Sequence, residues 1–571
     1  MADAHDRFDD VTIDRAGFRV LKGDRACPLT PRAFDVLLFL IEHRGRLVEK
    51  RELFDRFWSD AFVTDNALTR VIKEIRQAIG DNATTPRFIE TAPKRGYRFI
   101  AELAPPATAR TGGALANSIA VLPFVNASAD AEYLSDGITA GIINTLSQLS
   151  GVRVLARSTV FSYKRREAVA PQVIGKALNV GAVVTGRVEP LGDSLVISAE
   201  LADATDGTHL WGRQYTRRLA DVLDVQEEIA REISDNLRLQ LSSREQEQLA
   251  RRYTQNAEAY RLYLKGYYSL YKFTPAGLMK SFDYFNRAIA SDPDYALAYA
   301  GLVEAYFNLS FLSSPTDVWT KAKAAALRAL QLDGNLAEAH YAFALVSLCY
   351  DRDWRTAEKE FKRAIELRPG YGLAHDWYAI GVLAQAGRFD EAFAEIGTAM
   401  ELDPLSLATN CDYGTILYWA GHYEQALEQL KKVVELENNF YIAHVFLGLV
   451  LLQTGELAEA ISELRIACEQ SNNPLTTGFL GSAYARAGET SKAREALAEL
   501  LNQSESGYVP PDAIAVIHLG LGERAEAFEW LRKACDKRTF VSLSLAVDSV
   551  FEPLRDDPQF ADLLNRNGLG S

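Results

Sequence analysis

The chain has 571 residues, 48% of them hydrophobic, and a formal net charge of −14 at pH 7. At about 150 residues per domain this length implies three or four packed domains, and no apolar run is long enough to cross a membrane as a helix. The scattered Cys27, Cys349, Cys411, Cys468 and Cys535 form no CxxC pair, which excludes a thiol-based zinc or redox motif and fits buried, reduced thiols in a cytosolic protein.

The polar, acidic amino terminus is not that of a signal peptide. From Leu29 a small α+β unit begins. Thr30-Pro31 reads as a helix start, a capping hydroxyl followed by proline at the first helical position. The helix it opens buries Phe34, Leu37, Leu38 and Ile41 at one-turn spacing and ends at Gly45. A second short helix runs from Glu49 to Phe57, with Trp58 in the loop after it. Thr64 or Asp65 caps a third helix over 65–79, striped by Leu68, Ile72, Ile75 and Ile79. Thr69, Arg70, Lys73, Arg76 and Gln77 fall off that stripe and are expected to face outward. Two alternating strands, 87–91 and 97–100, then flank Pro93-Lys94-Arg95-Gly96, where Gly96 is expected to supply backbone freedom and Lys94 and Arg95 to meet phosphates. Residues 1–103 hold 18 Lys+Arg against 17 Asp+Glu, but residues 63–98 hold 7 against 4, so the head is polarised rather than basic overall. A solvated basic helix on a generic small domain is the alternative that charge alone leaves open.

This head resembles the OmpR/ToxR-type winged helix-turn-helix domain. The resemblance rests on Leu29-Thr30-Pro31-Arg32-Ala33-Phe34, Asp65-Asn66-Ala67-Leu68-Thr69-Arg70, Ile75-Arg76 with Gly80-Asp81, and Thr91-Ala92-Pro93-Lys94-Arg95-Gly96-Tyr97-Arg98-Phe99. It covers nearly all of residues 8–102 and implies a recognition helix presenting Asn66, Thr69, Arg70, Lys73, Arg76 and Gln77 to DNA. It also implies a wing with Lys94, Arg95, Tyr97 and Arg98, and backbone or RNA polymerase contacts near Thr30, Arg32 and Trp58. Family members that carry a phosphorelay receiver place it before such a head. The few residues preceding this one leave no room for it, so direct phosphorylation is not expected.

After an Ala/Pro-rich linker at 104–116, residues 117–245 alternate strands and helices, an α/β layer. Strands are expected at Ser118–Phe124, Val152–Ala156, Ala182–Val188, Leu195–Ala202 and His209–Tyr215, with helices near 135–149, 173–178 and 222–241. The segment resembles the TolB amino-terminal-like domain through Ile119-Ala120-Val121-Leu122-Pro123-Phe124, Leu134-Ser135-Asp136-Gly137, Thr185-Gly186-Arg187-Val188 and Gly207-Thr208-His209-Leu210-Trp211. That resemblance implies a fold and a regulatory setting, without a ligand. Asp136-Gly137 and Asp206-Gly207 tempt a catalytic reading, but Asp-Gly is ordinary turn chemistry, and Trp211 is expected to pack on the last helix. Phosphate loops, paired-histidine metal motifs and serine elbows do not occur, so no catalytic residue, metal or cofactor is expected.

Residues 250–571 are repetitive. Gly387, Gly421, Gly455, Gly488 and Gly522 recur at spacings of 34, 34, 33 and 34, each followed five residues on by Ala392, Ala426, Ala460, Ala493 or Ala527. The pattern resembles the tetratricopeptide repeat, with the clearest units at 337–370, 372–405, 406–439 and 440–473, roughly eight in all, and a capping helix at the end. Such an array stacks into a solenoid whose concave face takes a protein or peptide. His340, His375 and His444 sit near unit starts, a packing position.

The resulting expectation is a soluble, multidomain, one-component transcription regulator that binds double-stranded promoter DNA, as a homodimer if it reads paired half-sites, with no membrane contact. The alternative is a tetratricopeptide scaffold whose head does not read DNA specifically.

Overall fold

The computed structural model describes residues 5–569 except 9–10, 15–18, 23–24, 28, 58–64, 84, 93–94, 102–116, 127–131, 165–169, 192–193, 219–221, 238, 240, 250–252, 273 and 311–314. It forms two compact units, Met1–Ala114 and Leu115–Ser571.

The first unit opens with a feature the sequence reading did not foresee, a four-stranded antiparallel sheet. Its strands His5–Phe8, Val11–Asp14, Arg19–Lys22 and Arg25–Cys27 pair in chain order. Each has four residues or fewer, too short for alternation to stand out, yet Val11, Ile13 and Val20 are fully buried. The helix Pro31–Glu42 starts as expected: Thr30 Oγ1 accepts the Ala33 amide and Pro31 takes the first position. The helix Lys50–Phe57 follows, then Asp65–Ile79, whose Leu68, Ile72, Ile75 and Ile79 are buried in one cluster with Phe34, Leu37 and Phe99. The hairpin Ile89–Ala92/Gly96–Phe99 is completed by Val48–Glu49 on the outer side of the second strand. That third strand explains Gly96. Its backbone is not left-handed, but a Cβ there would lie 1.9 Å from the Val48 carbonyl oxygen. Glycine is required by close approach of the neighbouring strand, not by a turn conformation.

In the second unit a six-stranded mixed sheet runs in the order Arg153–Val154, Ser118–Val121, Ala182–Leu191, Ser194–Asp203, His209–Arg218, with Val125–Asn126 beside Ala182–Leu191. The first three strands are parallel and the last three antiparallel. The helices Glu132–Leu146, Pro171–Leu178 and Val222–Asn236 lie where expected, and Trp211 Nε1 donates to Glu232 of the last one at 2.7 Å. A short helix, Arg157–Phe161, was not foreseen.

Eight helix pairs follow among the described residues, from Ala257–Leu270/Pro275–Ser291 to Pro511–Gly520/Arg524–Asp536. Gly387, Gly421, Gly455, Gly488 and Gly522 have φ between 71° and 87°, the left-handed turn that breaks each first helix from its second. The second helices begin two residues later, and the recurrent alanines are fully buried where the helices cross. The first helices of the third and fourth pairs each contain a π-helical segment, Ser347–Asp351 and Ala379–Leu383.

The α/β layer and the repeats share one apolar cluster that runs from Ile119 to Ile416 and takes in Leu543 of the terminal segment. Polar contacts stitch the seam. The Ala156 amide donates to the Leu402 carbonyl at 2.7 Å, the Gly370 amide to the Ser147 carbonyl at 3.1 Å, and Gln148 to Tyr253 Oη at 3.0 Å. The Asp403 carboxylate accepts from the Thr159 amide at 3.0 Å, its hydroxyl at 2.7 Å and the Ser158 hydroxyl. At the other end, residues 538–568 return to the third, fourth and fifth pairs. Arg352 donates to the Thr539 carbonyl and Ser542 hydroxyl at 2.8 and 2.9 Å, Tyr418 Oη donates to Asp548 at 2.8 Å, and Trp354 Nε1 donates to the Asn567 carbonyl at 2.7 Å. The expected open array is therefore partly packed against the rest of the chain: the helix Glu132–Leu146 lies on its first helix, Ala257–Leu270, and the terminal segment meets the helix Leu407–Trp419 through Tyr418.

Candidate nucleic-acid interface

The helix Asp65–Ile79 divides cleanly. One face, Leu68, Ile72, Ile75 and Ile79, is at most 1% exposed, and Thr69, Arg70, Lys73 and Gln77 are exposed on the other. A helix with one face locked in a core and an opposite face carrying two cations, a hydroxyl and an amide can enter a major groove and hydrogen-bond base edges. Asn66 is the second residue of the helix, and its side chain lies outside the described residues.

Arg76 does not join this face. Its guanidinium donates to the Ile89 carbonyl at 2.6 Å and the Thr91 hydroxyl at 2.9 Å, and lies 3.6 Å from the fully buried Asp81 carboxylate. Asp81 in turn accepts the amides of Arg87, Phe88 and Ile89 at 2.7, 3.3 and 2.9 Å. The expected groove contact is thus a brace: Arg76 and Asp81 fix the angle between the recognition helix and the wing. In the sequence Asp81 reads only as a helix stop. Its anchoring role has a weak signal, a carboxylate facing three amides of an incoming strand.

In the wing, Arg95 is exposed at the tip, and its carbonyl accepts the Lys50 amide at 2.9 Å. Arg98 is half-exposed and paired with Glu90 across the hairpin at 3.0 Å. Tyr97 corrects the expectation, because its ring is 5% exposed and belongs to the core cluster. It packs the wing onto the domain, since successive strand residues face opposite sides and its neighbour Arg98 takes the outer one. Pro93 and Lys94 lie outside the described residues, as does Trp58 in 58–64. Thr30 serves the first helix as a cap, and its amide donates to Glu74 of the recognition helix at 2.6 Å. Arg32 is exposed beside it.

Elsewhere, Asp136 is held by Lys164 at 2.6 and 2.7 Å, and Asp206 accepts the Thr208 amide at 2.8 Å in a turn around Gly207. His340, His375 and His444 each have Nδ1 on a carboxylate of their own repeat (Glu360, Glu395, Glu463) and Nε2 on a carbonyl of the preceding loop. Among the described residues no group of three or more His, Cys, Asp or Glu side chains could hold a metal, and no helix is long and apolar enough to cross a membrane.

Residues 24–99 match the family model described as "Transcriptional regulatory protein, C terminal", and residues 413–473 match a tetratricopeptide repeat model. A Rhizobium meliloti protein with the provisional name adenylate cyclase 3 is 35% identical over 236 residues, 40% of each chain. The transcriptional regulator HilA of Salmonella typhi is 24% identical over 422 residues, 72% of this chain and 73% of its own. The transcriptional activator CadC of Escherichia coli is 35% identical over 83 residues, 14% of this chain and 16% of its own. The chain thus spans less than half of the first and third of these relatives. Residues 24–99 belong to the winged-helix family of transcriptional regulatory proteins, carried on one chain with a tetratricopeptide array.

Proposed function

We propose that the chain is a sequence-specific regulator of transcription in the cytoplasm, reading double-stranded promoter DNA through Thr69, Arg70, Lys73 and Gln77, with Asn66 at the start of the same helix. Arg95, Arg98 and Lys94 of the wing supply phosphate contacts. The carrying observation is the two-faced recognition helix, apolar into the core and cationic outward, in a domain of a DNA-regulator family. The body of net negative charge repels DNA and confines contact to the head. Stable operator binding uses two heads on paired half-sites, hence a homodimer. The residues around Trp58 are the ones that meet RNA polymerase. The α/β layer and the repeats act as a sensing and protein-binding body, not as an enzyme, and the TolB-like sequence motifs of residues 117–245 fit that role.

Genome-wide capture of DNA by the full chain, beside an Arg70→Ala/Lys73→Ala variant, tests this reading. Discrete peaks lost in the variant support it. Peaks indifferent to the change, or none in either protein, favour a scaffold built on the repeats.

A further inference from the structure

The recognition helix carries a carboxylate, Glu74, beside the residues assigned to DNA. Glu74 is half-buried and lies four residues past Arg70, a spacing at which two side chains meet on a helix surface. An ion pair there would occupy a cation that the groove needs. The pair is not made: Arg70 and Lys73 are exposed, and among the described residues neither has an ion pair. Glu74 Oε1 instead accepts the Thr30 amide at 2.6 Å, 44 residues away in the chain. That amide belongs to the cap residue of the helix Pro31–Glu42. Within one helix, such a donor is commonly taken by a Glu or Gln at the third helical position, the reciprocal half of a capping box. Here the third position is Ala33, which donates its own amide to Thr30 Oγ1 and has no side chain to reach back. Glu74 supplies the missing acceptor from a second helix. Two effects favour the bond: an ionised acceptor makes a short, strong hydrogen bond, and the amino end of a helix attracts negative charge. The recognition helix is thus tied to the first helix at residue 74 and to the wing at residue 76.

On the reading that this head binds DNA sequence-specifically, we propose that Glu74 is a positioning residue of the recognition helix. Its bond to the Thr30 amide withholds the carboxylate from Arg70 and seats the helix against the first one, so that Arg70 meets the groove unpaired. Released from the amide, the same carboxylate turns to Arg70 and blunts its reading of a base edge. Glu74 acts through Arg70 and makes no contact with DNA itself.

Two substitutions in the full chain separate reach from charge. Glu74→Gln keeps the length and an acceptor oxygen but loses the charge. Glu74→Asp keeps the charge but is one methylene too short for the Thr30 amide. Binding is measured to a duplex from the strongest genomic capture peak and to a shuffled duplex of the same composition. Glu74→Gln should keep the parent's preference between them within about twofold, and Glu74→Asp should lower it by about tenfold. Arg70→Ala should lower the preference of the parent by about tenfold, but that of Glu74→Asp by less than about threefold, because Arg70 is already engaged there. A preference lost in Glu74→Gln and kept in Glu74→Asp would make the charge the cause. Equal losses would place Glu74 on a base, and no loss in either would leave it without a role; each of these results overturns the proposal. Hydrogen exchange of the Thr30 amide, measured without DNA, is expected to be slow in the parent and in Glu74→Gln and fast in Glu74→Asp. Fast exchange in the parent sinks the tether. If capture yields no peak, the DNA reading itself has failed, and the exchange rates still decide whether Glu74 holds the Thr30 amide.

Discussion

Two arginines on the recognition helix look equivalent in the sequence and are not. Arg70 is exposed, whereas Arg76 is spent on the Ile89 carbonyl, Thr91 and Asp81. Lys73→Ala is expected to reduce the salt slope of DNA binding by about one without lowering the melting temperature of the chain. Arg76→Ala is expected to cost about 1–3 kcal/mol of head stability, read by denaturant unfolding, since it removes the cation beside the buried Asp81 carboxylate and the donor to the Ile89 carbonyl. If both variants changed only the salt slope, the brace would be wrong. The apolar stripe was legible because burial follows the helical period. Arg76 was not, because a residue on the stripe's edge can turn either way, and the acceptors that decide it come from a strand more than ten residues later. Tyr97 failed for the same reason, its facing being set by a third strand. The histidines offer a second residue-scale test. Asn410 occupies the corresponding place in the fifth pair, donating to the Pro404 carbonyl, with Gln429 donating to its side chain at 3.0 Å. His375→Ala should therefore cost about 1–3 kcal/mol, while the double change His375→Asn/Glu395→Gln should recover part of it. A double-mutant cycle showing no coupling would deny the pair a role.

Among elements, the helix breaks from Gly387 to Gly522 were legible, because a left-handed glycine and a buried alanine recur at fixed spacing and each has a steric cause. Gly421 has φ 78°, and no atom lies within 4 Å of the place a methyl would take, so Gly421→Ala should cost about 1–2 kcal/mol from backbone conformation alone. Gly414, inside a helix, fails differently: a Cβ would sit 2.8 Å from Leu430, and Gly414→Ala should cost about 1–3 kcal/mol from overpacking. Pairing each with Leu430→Val in urea unfolding separates the causes, since only the second should be relieved. The four strands before Leu29 stayed hidden because they are short and carry few apolar residues. The π-helical segments of the third and fourth pairs were equally invisible, since one extra residue per turn leaves the apolar spacing nearly intact.

At the scale of the whole molecule, the carboxyl groups within the Leu115–Ser571 unit set its response to pH. Burial pushes Glu304 up to about 7 and Asp512 up to about 6, and it raises Asp376 and Asp412 as well, the charge of Asp412 adding to the rise at Asp376. A carboxyl whose folded pKa lies above its unfolded value contributes stability that is fully present below the unfolded value and lost as pH rises through the folded one. Glu245 and Glu358, held down to about 2 by hydroxyls, amides and cations, act in the opposite sense only below about pH 4.5. The melting temperature of this unit should therefore fall between pH 5 and 8. Glu304→Gln, which keeps the acceptor for Tyr267 Oη, should make that fall shallower. A slope identical to the parent chain would show that Glu304 ionises freely.

The return of residues 538–568 to the third, fourth and fifth pairs changes how the array bears load. In an open row of repeats, each unit answers only to its neighbours and the ends peel away one by one. Here the last helices cannot leave before Arg352, Tyr418 and Trp354 let go of the tail, so an early step must break contacts 130 to 213 residues apart in the chain. Stretched between its ends in an optical trap, the array should hold to one high force and then give way in a single long extension. Asp548→Ala should restore a staircase of small steps.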